Sequence, residues 1–68
     1  MKVTGKVVWR DLEGGFFELH ADGGTRYRLA GARVKDGERV SLEGEVEEGG
    51  FGIDMSGLPT FRARSVSR

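Results

Sequence analysis

Four arginines stand in this chain as two pairs spaced i, i+2: Arg26 with Arg28, and Arg62 with Arg64. In an extended backbone that spacing puts both members of a pair on one side. Guanidinium groups along a sheet face bind phosphates, and aromatic rings beside them stack on bases, each stacked base contributing about 1–3 kcal/mol. Phe16 and Phe51 are the rings that the pattern offers, and His20 is a further hydrogen-bond donor. The chemistry of this set is that of single-stranded nucleic acid binding.

No catalytic constellation accompanies it. There is one histidine and no cysteine, and Ser41, Ser56, Ser65 and Ser67 have no base at a recognisable spacing. A lone histidine without further ligands makes a poor metal site. The acids from Glu43 to Glu48 fall mostly on a solvated strand face. Gly49-Gly50-Phe51-Gly52 lacks the lysine and the following helix of a phosphate loop. The chain is expected to be a binding module, not an enzyme, with no cofactor and no metal.

The elements that must position these residues follow from period-2 alternation. Residues 2–10 form a first strand, with Val3, Gly5, Val7 and Trp9 on one face and Thr4, Lys6, Val8 and Arg10 on the other. Trp9 is expected to be buried or half-buried. Gly5, inside an apolar strand, marks a bend or a close backbone approach. A hairpin follows over residues 15–30. A two-residue turn at Asp22-Gly23 would set Leu19 against Arg26. A three-residue loop, Asp22-Gly23-Gly24, pairs Leu19 with Tyr27 and Phe17 with Leu29, and so keeps the core face dry. The outer face then carries Glu18 opposite Arg28 and His20 opposite Arg26, with Phe16 beside them, also facing out.

Residues 30–36 are too short for a standard helix, although they have room for a single helical or 3₁₀ turn. Residues 38–48 form a long strand with Val40, Leu42, Gly44 and Val46 inward, and Gly44 repeats the role of Gly5. A short strand is expected at 51–55. The last strand, 60–66, places Phe61, Ala63 and Ser65 on one face and Arg62, Arg64 and Val66 on the other. Short strands at this spacing with glycine-rich turns mean a sandwich or a barrel. A sheet so small must close or leave exposed edges. The expectation is one all-β domain over residues 1–68, a five- to six-stranded closed barrel.

Sixty-eight residues bury about 60% of their unfolded surface, and no disulfide helps. A core this small favours self-association, so a homo-oligomer packed through Phe16, Phe51 and Met55 is the second expectation. The chain has no run apolar enough to span a bilayer, and residues 1–6 lack the apolar stretch of a signal peptide. A cytoplasmic location is expected. Asparagine and glutamine are absent and arginine outnumbers lysine 8 to 3, which is compatible with a heat-loving source. Net charge is zero, but residues 1–35 carry seven bases and four acids while residues 36–48 carry one base and six acids.

The order of these elements resembles the OB-fold, in particular small uncharacterised bacterial OB-type proteins. The likeness is carried by Asp22-Gly23 ahead of Tyr27 and Leu29, and by Gly37-Glu38-Arg39-Val40-Ser41-Leu42-Glu43-Gly44. It covers nearly the whole chain and departs from the family in lacking a helix between the third and fourth strands, which keeps an SH3-like barrel as the alternative. The resemblance implies a ligand face on strands two and three. It also sets the third strand beside the fifth, joining Arg26, Arg28, Arg62 and Arg64 in one basic stripe. The same arrangement sets the fifth strand beside the acidic fourth, so Glu43 and Glu45 are placed to neutralise Arg62 and Arg64. Exposed pairs of that kind contribute roughly 0–1 kcal/mol each. The stripe is therefore either a binding surface or a set of solvated ion pairs.

Overall fold

The computed structural model describes residues 1–12, 14–47 and 58–68. It contains the hairpin with the three-residue loop. Leu19 pairs with Tyr27, Glu18 with Arg28 and His20 with Arg26. Gly24 sits at φ 97°, a conformation that costs a glycine little. Its amide donates to the Ala21 carbonyl at 2.9 Å, and the Ala21 amide donates to the Thr25 carbonyl at 2.8 Å.

Around this hairpin run five strands: β1 (Lys2–Arg10), β2 (Phe16–Ala21), β3 (Arg26–Ala30), β4 (Arg39–Glu47) and β5 (Thr60–Ser67). They close into a barrel in the order β1-β2-β3-β5-β4. β3 and β5 run parallel, and the other neighbours run antiparallel. The described residues contain no helix. The architecture is an all-β closed barrel, consistent with a small OB- or SH3-like barrel. The strand expected at 51–55 lies outside the described residues.

Inward-facing residues from every strand meet in one core of Val3, Val7, Leu19, Tyr27, Val40, Leu42, Phe61 and Ala63. Val7, Leu19, Leu42 and Phe61 are fully buried. Burial of each such side chain contributes about 1.5–3 kcal/mol. Tyr27 meets Phe61 edge to face, with centroids 5.6 Å apart.

Gly5 and Gly44 allow the closure. A Cβ on Gly5 would overlap the His20 carbonyl oxygen, and one on Gly44 would overlap the Arg62 carbonyl oxygen. Both neighbours are backbone and cannot swing aside.

Two expectations are corrected. First, the alternation of β5 does not hold to its end. Glu43 pairs with Ser65 but Gly44 pairs with Ala63, which leaves Arg64 as the extra residue of a bulge. A bulge reverses the faces beyond it, so Val66 packs against the core while Ser65 is exposed. Second, Trp9 has core parity but is 43% exposed. Its strand outruns the closed ring: β4 begins at Arg39, opposite Lys6, so the last residues of β1 have no β4 partner. Alternation specifies a face but not a depth. The room for a helical turn between the third and fourth strands is not used: residues 31–35 adopt none. The turn that follows, at Asp36-Gly37, satisfies the free side of β1. The Val7 amide donates to the Glu38 carbonyl at 2.7 Å, the Gly37 amide to the Val7 carbonyl at 2.8 Å, and the Trp9 amide to Asp36 Oδ1 at 2.9 Å.

Glycine to alanine at a compatible position stabilises by about 0.4–1 kcal/mol. Gly5→Ala and Gly44→Ala are expected to reverse that sign and destabilise by about 1–3 kcal/mol. For a domain of this size each kcal/mol lowers Tm by about 4–8 °C. Gly23→Ala, where a Cβ meets nothing within 4 Å, serves as the near-neutral control. Thermal melts of the three variants check the ranking.

Candidate nucleic-acid interface

Directly paired residues on neighbouring strands carry their side chains on the same face. The pairing therefore reads out the barrel's exterior row by row. One row crosses four strands: Arg39 on β4, Lys6 on β1, His20 on β2 and Arg26 on β3. At the usual strand spacing it spans about 14–15 Å. The next row holds Val8, Glu18, Arg28 and Thr60, and a third sets Arg10 beside Phe16. Five cations thus share this face with two carboxylates, Glu18 and Asp22.

Both carboxylates are occupied. The Glu18 side chain is only 6% exposed; its Oε1 lies 3.2 Å from Arg10 Nε and 3.0 Å from His20 Nε2. A carboxylate only accepts, so His20 donates through Nε2. Among the described residues no buried side-chain nitrogen or oxygen lacks a hydrogen-bond partner. Glu18 is thus the internal anchor that fixes Arg10 and His20 on the surface. Asp22 pairs with the guanidinium of Arg39. That hydrogen bond, with the charge of Arg39, holds the Asp22 carboxyl below its ordinary pKa and raises that of Arg39.

The sequence-derived stripe is divided by the fold. Arg26 and Arg28 do lie on the outer face of β3, next to His20 and Glu18 as expected. β5 does run beside β3, with Arg28 opposite Thr60 and Ala30 opposite Arg62. Arg62, however, is ion-paired with Glu47, which raises its pKa. Arg62 and Arg64 line a recess of ≈ 220 Å³ together with Glu45 and Glu47. Among the described residues Arg62 is ion-paired with Glu47; Glu45 stands opposite Arg62 and shares the recess, while Glu43 lies 3.6 Å from the amino group of Met1.

Phe16 is also corrected. It faces outward by register, yet it is 6% exposed. The guanidinium carbon of Arg28 lies 4.5 Å from its ring centroid. Phe16 therefore supports Arg28 and offers no ring face to a base, and it is not a surface for a second subunit. Phe51 and Met55 lie outside the described residues.

Lys6, Arg10 and Arg39 were not singled out from the sequence. Their outward parity was readable, but their place beside His20 and Arg26 depends on pairings between distant segments. Among the described residues no three His, Cys, Asp or Glu side chains are gathered to hold a metal ion, and no helix is long and apolar enough to cross a membrane. No family model, curated protein or solved structure matches this chain.

Asp22 is held below its ordinary pKa by Arg39, and Glu38 by Arg68 and the Lys35 amide. Folded-state values depressed in this way contribute stability above the unfolded-state pKa, and that contribution is lost as pH falls through the folded value. Stability is expected to decline between about pH 5 and pH 2. Asp22→Asn should flatten part of that decline. Urea midpoints measured against pH check this, and an unchanged slope in the variant contradicts it.

Proposed function

We propose that this chain is a non-enzymatic binding module that holds single-stranded nucleic acid by its phosphates on the outer face of β1, β2 and β3. The observation that carries this reading is the transverse row Arg39, Lys6, His20 and Arg26, continued by Arg10 and Arg28. Zero net charge does not oppose it, because Glu45 and Glu47 lie beside Arg62 and Arg64, and Glu43 faces Lys2 and the Met1 amino group at the start of β1. The local field, not the total charge, attracts a polyanion.

Each group in this reading has a role. Lys6 and Arg26 are exposed and have no described ion pair, so they meet phosphates directly. Arg28 lies over the Phe16 ring, which fixes the plane of its guanidinium on this face. Glu18 orients Arg10 and His20 and keeps the His20 Nε2 proton in place. The strand order, with β5 between β3 and β4 and parallel to β3, supports the OB-like form of the barrel over an SH3-like one. The ligand face of such barrels centres on strands two and three. Binding through phosphates makes the module tolerant of base sequence.

Fluorescence anisotropy with a labelled oligothymidylate of about twelve nucleotides tests this. Binding is expected at low salt, with log K falling linearly against log salt by about 0.7 per phosphate contacted. Lys6→Glu and Arg26→Glu should each weaken binding and reduce the slope by about 1. Arg64→Glu, on the recess with Glu45 and Glu47, should leave it unchanged. Absence of binding at low salt, or variants at Lys6 and Arg26 that bind like the wild type, rejects the reading.

A further inference from the structure

The barrel end at the last residues of β1 carries a second feature, separate from the face described above. Residues 32–35 cross this end ahead of a turn at Asp36-Gly37, and their side chains alternate. Ala32 and Val34 pack on the core, whereas Arg33 and Lys35 are exposed. A groove of ≈ 310 Å³ results, lined by Phe17, Ala32, Arg33, Val34, Lys35 and Arg68. That volume falls at the lower end of the range of small-molecule sites.

Trp9 stands at the edge of this groove, its ring centroid 4.7 Å from that of Phe17 in an edge-to-face contact. Its indole is fixed in position although it is exposed. The benzo ring lies on Gly15, where a Cβ would overlap it. Its backbone amide is held by Asp36. An indole that is 43% exposed yet held from beneath and from the side is an aromatic platform presented to solvent.

The rim is cationic. Arg68 is already engaged, with Nε 2.6 Å from Glu38 Oε2 and Nη2 2.6 Å from the Arg33 carbonyl. Arg33 has no described ion pair, and the Lys35 ammonium lies in the field of the Glu38 carboxylate, which it helps Arg68 to hold below its ordinary pKa. An apolar molecule would make no use of the positive charge in excess of Glu38 at this rim, and inorganic phosphate would make none of the indole. A flat ring bearing a negative group satisfies both.

We propose that this groove binds a small anionic aromatic molecule of the nucleoside monophosphate class, its ring against Trp9 and its phosphate between Arg33 and Lys35. This site is independent of the β1–β3 face.

Trp9 is the sole tryptophan, so its fluorescence reports directly on the site. Titration with AMP at low salt is expected to quench it saturably, with adenosine alone and inorganic phosphate alone at least tenfold weaker. The double variant Arg33→Ser, Lys35→Ser, checked for an unchanged melt, should weaken AMP at least tenfold and leave oligothymidylate binding intact. Lys6→Glu should do the reverse, so the two proposals fail separately. The inference is overturned by an absence of saturable quenching through the millimolar range, or by AMP binding that is unaltered in the double variant. It is also overturned if an acidic aromatic peptide binds more tightly than AMP. A Trp9 spectrum that shifts with protein concentration alone, together with a dimer in sedimentation, overturns it too, because the groove would then be an interface between copies.

Discussion

Closing a ring from strands this short brings backbones nearer to each other than a side chain permits, and the chain meets that demand at two positions. Gly5 and Gly44 sit in the middle of the two nine-residue strands, β1 and β4, each of which pairs with two neighbours. At both points the carbonyl of the adjacent strand occupies the place of a Cβ. The bulge at Arg64 lies against the second of them and adds local twist. With these bends in place each of the described strands has two neighbours. A core of so few buried residues has a thin margin, so the closure and the core stand or fall together.

Closure also sorts charge. Along the sequence the bases and acids nearly cancel. Around the barrel they separate, because β1 is set between β4 and β2 and so brings Lys6 and Arg10 beside His20 and Glu18. Glu45 and Glu47 of β4 gather instead with Arg62 and Arg64 of β5, and Glu43 lies by the amino group of Met1. Glu18 is the buried acid of the cationic face, and its burial and its two donors make it an organiser of that face. A chain with no net charge thereby carries a surface that is locally basic.

The connection between β3 and β4 shapes the remaining end. A helix there would cover the barrel mouth. An extended segment covers it less completely, leaving Trp9 exposed and a groove beside Phe17. The turn that follows it bonds to the free side of β1, so the strand that outruns the ring is satisfied in its backbone while its indole stays in water.

Much of this was legible in the residues themselves. The hairpin register followed from keeping Leu19 and Tyr27 on one face and from a glycine at the loop's left-handed position. The inward sets of β1 and β4 and the two bend glycines followed from alternation. These are local properties, fixed by chain geometry within a few residues. Three things were decided only in the folded barrel: the depth of Trp9, the reversal of faces after Arg64, and the company each arginine keeps. Each depends on where a partner strand begins, ends or slips by one residue. Period-2 alternation assigns a side chain to a face of its own strand, but its burial and its neighbours come from contacts between segments far apart in sequence.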